Sequence, residues 1–373
     1  MKMKKILCSL MISVLCFMTA ISGVSAASYD TSKIDQAYSK MIGYYKSRTE
    51  LRSLDEIIAV EALGLEAENY TLPDLSSTDF NTQSLGTISK GLISVILIGK
   101  NPSDYNNQNL VQILEDCVKD DGSVEKDGYV ADPNIQVWVL YALESYNSPK
   151  AELVANNLIS KMSVDGGFGY SETSLSVDVT GWCLEALSNL KNYDELSKVK
   201  NYLKNTDRFG DNGSWGYSYG NSDYPNSTSQ AAVLMGLIVN DKNGLLNGEY
   251  NYNNINPLDV LAEYQNENGS YWNDPVSYET FDTARCLGTY KNGSVIVKAQ
   301  SDYDKLINPE KPVNNEKNDV KDNKTATTSN TNKNAVATAV KTGDNTHIVV
   351  FVSLSMISGG LFLVLRKENE KAC

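Results

Sequence analysis

Apolar residues in the middle of the chain have the spacing of helices, in two alternating forms. Segments such as 151–162 and 194–204 have apolar residues three and four positions apart, which predicts helices with one buried face. Segments such as 136–143 and 180–187 are apolar on most faces, so the helices they form need burial on both sides. The pattern therefore predicts an inner layer of apolar helices wrapped by an outer layer of amphipathic helices.

A glycine turn precedes four of the apolar segments, and this combination forms an internal repeat. The first turn residue lies 22, 22, 25 and 22 residues before the last residue of its apolar segment. Glycine tolerates the positive φ with which a chain often leaves a helix, so we expect each turn to end an outer helix. The turns and segments are Asp121-Gly122-Ser123-Val124 with 136–143, Asp165-Gly166-Gly167-Phe168 with 180–187, Asn212-Gly213-Ser214-Trp215 with 230–237, and Asn268-Gly269-Ser270-Tyr271 with 283–290.

Two earlier segments, 55–63 and 87–98, fit the apolar half of the repeat without the turn. Small residues in the apolar segments of the repeat, such as Ala142 and Gly236, allow neighbouring helices to approach closely. Six helix pairs that close on themselves would bury both sides of every apolar helix. We therefore predict an all-α fold, an α/α toroid of about six helix hairpins over residues 28–307, with an open solenoid as the alternative.

The N-terminus has the features of a secretory signal. Three lysines among the first five residues precede an apolar run over 6–21. Small residues follow this run, and Val24 and Ala26 are suitably placed for cleavage after Ala26. We therefore predict a signal peptide with a signal helix over residues 1–26, with an uncleaved membrane anchor as the alternative.

The C-terminal part predicts a stalk and a membrane span. Residues 308–340 are dominated by Lys, Asn, Asp, Thr, Ala and Pro without an apolar period, and this composition predicts a disordered stalk. Residues 348–365 carry no charge and are long enough to cross a hydrocarbon core of ~30 Å as a transmembrane helix. The basic residues that follow predict a cytoplasmic C-terminus. A buried core helix is the alternative, which the preceding polar stalk disfavours.

The stretch Ala339-Val340-Lys341-Thr342-Gly343 resembles the sorting signal of Gram-positive surface proteins, Leu-Pro-x-Thr-Gly followed by an apolar span and a basic tail. The Thr-Gly pair, the span and the tail match, whereas Ala-Val stands in place of Leu-Pro. The resemblance implies an anchor over 341–373, cleaved by a sortase between Thr342 and Gly343 and attached to peptidoglycan. Without cleavage the span stays in the membrane, so in both cases we expect the domain on the extracellular face of the cell.

The charge and the cysteines exclude some classes of partner. The formal net charge is −13, and loss of the three signal-peptide lysines would make it −16. This acidic character argues against nucleic acid and anionic lipid headgroups as partners. Cys117, Cys183 and Cys286 lie in the predicted domain, and an odd number at unrelated spacings predicts free buried thiols rather than a disulfide framework.

The repeats resemble those of the prenyltransferase and squalene-cyclase family. The resemblance covers about residues 54–292, and its closest parts are Gly166-Gly167-Phe168-Gly169 and Gly213-Ser214-Trp215-Gly216. It implies the α/α toroid, the terpenoid-cyclase fold. It does not single out an activity, because this fold serves prenyl transfer, polyene cyclisation, thioester proteins and cobalamin carriers alike.

Two of these activities lack their residues in this chain. Protein prenyltransferases hold zinc through Asp, Cys and His, and the single histidine here, His347, adjoins the predicted span. Complement-type thioester domains need a Gly-Cys-Gly-Glu-Gln stretch, which the sequence does not contain. We therefore expect no metal site and no cofactor.

Class II terpene cyclases carry Asp-x-Asp-Asp-Thr at the start of an inner helix, and the corresponding stretch here is Ser176-Val177-Asp178-Val179-Thr180. The resemblance implies Asp178 as a catalytic proton donor to an alkene. That role needs neighbouring carboxyl groups and hydrogen bonds that make the proton unusually acidic, and Ser176 and Val179 replace those acids. The alternative is that Asp178 caps a helix that begins near Val179.

Aromatic residues cluster after the glycine turns, near one rim of the predicted ring. They offer stacking platforms to a sugar or a peptide, with packing between repeat units as the alternative. These ligand-binding candidates are Tyr170, Trp215, Tyr217, Tyr219, Tyr271 and Trp272.

Export, the tether and the missing catalytic motifs together predict a non-catalytic binding or adhesion module for an extracellular ligand. One alternative is an enzyme, either similar to a terpene cyclase or prenyltransferase or acting on polysaccharides through an acid pair. Another alternative is a protein that captures a small, corrinoid-like molecule.

Overall fold

The computed structural model describes residues 29–171, 173–205, 211–219, 222–271 and 278–309, and over these ranges the chain is mostly helical, which confirms the all-α class. The predicted signal peptide, sorting signal and apolar span lie outside the described residues. No helix within the described ranges has the length and apolar character needed to cross a membrane. The α-helices in these ranges are α1 Ser32–Lys46, α2 Leu54–Ala62, α3 Leu85–Leu97, α4 Leu110–Glu115, α5 Pro133–Ser145, α6 Ala151–Ser160, α7 Val177–Leu190, α8 Leu196–Asn205, α9 Ser227–Leu246, α10 Pro257–Glu263, α11 Tyr278–Asn292 and α12 Val295–Ile307.

Short polar side chains begin five of the apolar helices. In each case the side chain accepts a hydrogen bond from the backbone N–H three residues further on, which satisfies a donor that the first helical turn leaves free. These caps fix where α2, α3, α5, α7 and α9 begin. The capping residues are Ser53, Ser84, Asp132, Ser176 and Asn226.

Three short antiparallel hairpins, which the sequence did not lead us to predict, connect glycine turns to inner helices. Each hairpin stands directly after a turn and before α5, α7 or α9. The hairpins are β1 Glu125–Lys126 with β2 Tyr129–Val130, β3 Phe168–Ser171 with β4 Ser174–Ser176, and β5 Gly216–Tyr219 with β6 Ser222–Pro225.

The apolar helices α2, α3, α5, α7, α9 and α11 pack in a closed circuit. Each contacts the next along the chain, and α11 packs back against α2. Residues in the middle of these helices, such as Leu140 and Leu234, are fully buried. Cys117, Cys183 and Cys286 are buried free thiols, which confirms the prediction made for them. The apolar segments thus form the core of the domain.

The amphipathic helices cover this circuit. Helices α4, α6, α8 and α10 each pack against an inner helix next to them in the chain, whereas α1 packs against α10 and α11. The last of these outer helices thereby contacts the first. Helix α12 differs from them, because it packs against four inner helices, α2, α3, α5 and α11.

Glycines bring inner helices into backbone contact at two junctions. A Cβ on Gly236 of α9 would lie 2.4 Å from the carbonyl oxygen of Gly181 in α7. A Cβ on Gly288 of α11 would lie 2.4 Å from the carbonyl oxygen of Ala62 in α2. These distances are too short for a side chain, so the prediction that small residues permit close approach is confirmed at Gly236.

The four repeat glycines have the predicted positive φ. The values are 77° at Gly122, 97° at Gly166, 75° at Gly213 and 92° at Gly269. A Cβ on Gly269 would lie 2.3 Å from the carbonyl oxygen of Lys40 in α1. The turn of the last unit therefore packs tightly against the first helix.

In the third and fourth units, the last residue of the glycine turn is tied to the inner helix that follows. The backbone N–H of Trp215 donates to Gln230 Oε1 at 2.9 Å, and that of Tyr271 donates to Thr280 Oγ1 at 3.1 Å. Gln230 begins the predicted apolar segment of its unit. In the last unit the equivalent contact comes three residues earlier than the predicted first residue, Thr283.

Candidate functional site

A cavity of about 490 Å³ lies at the N-terminal ends of the inner helices. Helices α2, α3, α5 and α11 contribute their first turns to it, because the circuit of helices brings these ends together. The lining combines three aromatic rings with charged, hydroxyl and amide side chains. The lining residues are Ser53, Leu54, Asp55, Ser84, Gly86, Thr87, Lys90, Asn134, Ile135, Trp138, Trp182, Tyr278 and Asp282.

An ion pair forms one part of the lining. Lys90 Nζ on α3 lies 2.6 Å from Asp55 Oδ1 on α2, and both side chains are mostly buried. The same Nζ lies 4.4 Å from the centre of the Trp138 ring, which adds a cation–π contact. An ammonium group has three donors. Lys90 therefore retains donor capacity for a ligand oxygen.

Two indole rings form the apolar part of the lining. Trp138 on α5 and Trp182 on α7 occupy matching places in the repeat, and their ring centres are 6.3 Å apart. Trp182 Nε1 is buried and has no hydrogen-bond partner among the described residues. An indole face with an unused N–H suits a ligand that presents both C–H surface and oxygen atoms.

Asp282 is the buried carboxylate of the cavity. Its side chain is 5% exposed, and the described part of the chain provides it with no hydrogen bond or ion pair. Burial raises the pKa of Asp282 to about 7, and the charge of Asp55 acts in the same direction, whereas Lys90 and Arg285 oppose it. Asp282 therefore exists in both protonation states near neutral pH and is available to a ligand in either.

Asp178 lies in the first turn of α7 and does not cap it. Ser176 is the N-cap and accepts from the Val179 N–H, so the capping interpretation of Asp178 is wrong. The carboxylate oxygen Oδ1 of Asp178 is buried without a hydrogen-bond partner among the described residues. Burial raises the pKa of Asp178, and its charge in turn helps to raise the pKa of Asp282. Asp178 thus acts on Asp282 through its charge, although it does not line the cavity.

One helical turn beyond Asp282, a buried ion pair links α11 to α7, which are separated in the circuit by α9. Arg285 Nη2 on α11 donates to Glu185 Oε2 on α7 at 2.7 Å, and both side chains are almost fully buried. The Tyr141 hydroxyl donates to the same oxygen at 2.8 Å, and Ser294 Oγ donates to Glu185 Oε1 at 2.9 Å. Both oxygens of Glu185 thereby accept hydrogen bonds, whereas Arg285 Nε and Nη1 are buried without a hydrogen-bond partner among the described residues.

The aromatic residues predicted to form a rim do not share one exposed surface in the described part of the chain. Trp215 is fully buried and donates through Nε1 to the Leu203 carbonyl oxygen at 3.2 Å, and Tyr271 is 5% exposed. These two rings are buried in the core and offer no face to a ligand. Tyr170 is 54% exposed. The side chains of Tyr217 and Tyr219 and all of Trp272 lie outside the described residues, as do Thr342 and Gly343.

The chemistry available at the cavity is hydrogen bonding, stacking and proton transfer. Asp55 is engaged with Lys90, which leaves Asp282 as the carboxylate of the lining that is free to bind or to exchange a proton. Within the described ranges, no group of three or more His, Cys, Asp or Glu side chains is placed to hold a metal ion.

Most of the residues in this site were not predicted from the sequence. Asp55, Lys90 and Asp282 belong to no motif and lie far apart in the chain. Their common signal is that each falls within the first turns of an apolar helix. The matching positions of Trp138 and Trp182 were visible in the repeat, but a tryptophan in an apolar segment is typical of core packing as well.

No protein-family model matches this sequence, and a comparison with curated proteins finds no match. The resemblance to prenyltransferase and squalene-cyclase repeats therefore stays a prediction, carried by the glycine turns and the apolar segments. The function has to be inferred from the cavity and the side chains that line it.

Proposed function

We propose that the protein is a cell-surface α/α toroid that binds a polyhydroxylated ligand, a sugar residue, in the cavity at the N-terminal ends of its inner helices. The toroid is supported by the circuit of contacts from α2 to α11 and back to α2. The positive φ of the four repeat glycines fits the same architecture. Both features agree with membership of the prenyltransferase and squalene-cyclase repeat family.

The observation that carries the proposed ligand class is the burial of the Asp282 carboxylate in the lining of the cavity. A buried carboxylate without a hydrogen-bond partner is costly, and a ligand that donates to it would remove that cost. Sugar hydroxyl groups donate and accept hydrogen bonds, and the apolar faces of sugar rings stack on aromatic side chains. The indoles of Trp138 and Trp182 lie in the same cavity as Asp282.

The lining disfavours a hydrocarbon ligand. A polyprenyl chain entering the cavity would have to cover the Lys90–Asp55 pair and Asp282 without satisfying them. Burying charged groups against hydrocarbon in this way costs several kcal/mol, on the order of the unpaired-charge penalty in protein interiors. The same groups suit a ligand with hydroxyl groups.

The predicted export signal, stalk and anchor support an extracellular binding or adhesion role. A domain over residues 28–307, held by the 308–340 stalk at the membrane or at peptidoglycan, would present its cavity to ligands outside the cell. The net charge of −13 agrees with a partner other than nucleic acid.

Titration of the full-length protein with glucose, galactose and N-acetylglucosamine, followed by calorimetry and ligand-observed NMR, tests this proposal. We expect one of these sugars to bind, and Asp282→Asn and Trp182→Ala to weaken it by about tenfold or more. Asp302→Asn in α12 serves as the matched control and should bind as the wild type does. Absence of binding by all three sugars, or an Asp282→Asn protein that binds normally, would contradict the proposal.

A catalytic function has one specific observation in its favour. Because the pKa of Asp282 is about 7, its carboxyl group holds a proton near neutral pH and is able to donate it inside the cavity. Incubation with p-nitrophenyl glycosides, squalene and polyprenyl diphosphates separates the enzymatic alternatives. Glycoside turnover lost in Asp282→Asn would support an enzyme acting on sugars, and isoprenoid turnover lost in Asp178→Asn would support a cyclase.

A further inference from the structure

A second cleft adjoins the cavity. This outer cleft has a volume of about 400 Å³ and shares Ser84, Gly86 and Ile135 with the cavity. Its other walls come from the segment 82–85 that leads into α3 and from the β1–β2 hairpin. The two spaces therefore lie next to each other and share one stretch of lining.

The hairpin contributes an aromatic side chain to the outer cleft. Tyr129 on β2 is 49% exposed, and its hydroxyl donates to Asp132 Oδ2 at 3.2 Å. The hydrogen bond holds the phenol group while the ring stays accessible. Lys126 on β1 lines the same cleft and pairs with Asp127. The outer cleft therefore combines an accessible aromatic ring with polar side chains, as the cavity does.

Gly86 lies where the cavity and the outer cleft meet. A Cβ at this position would meet nothing nearer than Ile135 Cδ1, at 3.9 Å. The surroundings therefore have room for a side chain, which means that tight packing is not the reason for glycine here. A residue without a side chain thus lies in the lining that the two spaces share.

We infer that the ligand is an oligosaccharide that occupies both spaces. One terminal sugar lies in the cavity between the indoles and Asp282, and the following sugars pass Gly86 and stack on Tyr129 in the outer cleft. This inference rests on the proposed function and adds that the ligand is a chain rather than a single sugar.

The lining favours a glycan over a peptide. Extended peptides are commonly bound through backbone hydrogen bonds to a free strand edge. Here the strands at the outer cleft, β1 and β2, are each two residues long and leave little free edge for a peptide. The side chains that line the two spaces are a mixture of donors and acceptors with aromatic rings, which suits hydroxyl groups that both donate and accept.

Calorimetry with matched pairs of sugars tests the inference on the full-length protein. The pairs are glucose with cellotetraose, glucose with maltotetraose, and N-acetylglucosamine with tetra-N-acetylchitotetraose. In one pair we expect the tetrasaccharide to bind at least about tenfold more tightly than its monosaccharide. Tyr129→Ala should remove most of this difference, and Gly86→Leu should remove it by placing a side chain between the two spaces. Gly43→Leu in α1 is the matched control, because a Cβ there has nothing within 4 Å and Gly43 lines neither space, and it should retain the preference for the longer sugar.

The outcomes separate this inference from the proposed function. Equal affinity for the two members of every pair overturns the chain ligand while the single-sugar site stands. The same holds if Tyr129→Ala and Gly86→Leu leave the tetrasaccharide affinity unchanged. Tyr129 is exposed, so its loss is not expected to unfold the protein. Binding of acetylated tetrapeptides but of no sugar would overturn both.

Discussion

Arg285 on α11 and Glu185 on α7 form an ion pair at 2.7 Å inside the circuit of inner helices. Replacing Arg285 by Met leaves a buried carboxylate without its charge partner. We expect this change to lower the free energy of unfolding by about 3–5 kcal/mol. Denaturant unfolding followed by circular dichroism measures the loss.

Two further variants check the reason for that loss. The double change Arg285→Met with Glu185→Met removes both charges and should recover part of the stability. Arg52→Met breaks the exposed pair with Glu50 and should cost less than about 1 kcal/mol. A double variant as unstable as the single one would show that the charge left behind is not the cause.

Gly288→Ala tests the contact between the last inner helix and the first. The new methyl group would lie 2.4 Å from the backbone of Ala62, so α11 and α2 have to move apart. We expect a loss of about 1–3 kcal/mol in the free energy of unfolding. Gly43→Ala in α1 is the control, because a Cβ there has nothing within 4 Å, and it should be neutral or slightly stabilising. Equal effects of the two changes would argue against tight packing at this junction.

The raised pKa of Asp282 predicts that the free energy of unfolding depends on pH. This pKa is about 7 in the folded protein and 3.8 ordinarily, so the folded state holds an extra proton between these values. Stability contributed by this group is therefore present at low pH and is lost as the pH rises from about 4 to about 7. Asp282→Asn cannot ionise, so its free energy of unfolding should fall less over this range than that of the wild type. Parallel curves for the two proteins would contradict the assignment.

Trp215 and Trp182 should respond differently to replacement. Trp215 is fully buried, so Trp215→Ala should destabilise the protein by about 3–5 kcal/mol through the cavity it leaves. Trp182 is partly exposed in the cavity lining, so Trp182→Ala should reduce sugar binding more than stability. Thermal unfolding and calorimetry on both variants measure the two effects. A Trp215→Ala protein of normal stability would contradict its place in the core.

Thr342→Ala tests the proposed attachment to the wall. If a sortase cleaves between Thr342 and Gly343, the change should move the protein from the wall fraction to the membrane fraction. Immunoblots of the two fractions measure the shift, with Thr327→Ala in the predicted stalk as a matched control. An unchanged distribution would indicate that the span itself is the anchor.

Much of the fold was predictable, because each repeat unit carries the residue types that determine its own turn and helices. The glycine turns, their positive φ and the apolar helices follow from residue types within short stretches, as at Gly122 and Gly166. The hairpins were not predicted, because strands as short as Tyr129–Val130 lack an alternating pattern long enough to recognise.

The site was less predictable than the fold, because packing between distant segments creates it. Lys90 and Asp55 pair through the contact between α3 and α2, and no local pattern marks that pair. Asp178 drew attention through a family motif, yet the cavity is lined by Asp282 from another unit. Helix α7 also begins at Val177, two residues earlier than predicted. Ser176 is therefore its N-cap, and Asp178 lies in its first turn.

The contact between α11 and α2 has a consequence for how such a protein evolves. An open stack of repeats gains or loses a unit at its end, and the remaining units keep their neighbours. Here the end of the series is joined to its beginning, so one added hairpin would change the curvature at every junction at once. We therefore expect the number of helix pairs to stay constant during evolution. New ligand specificity would then arise through changes in the side chains that line the cavity and in the β-hairpins that precede the inner helices.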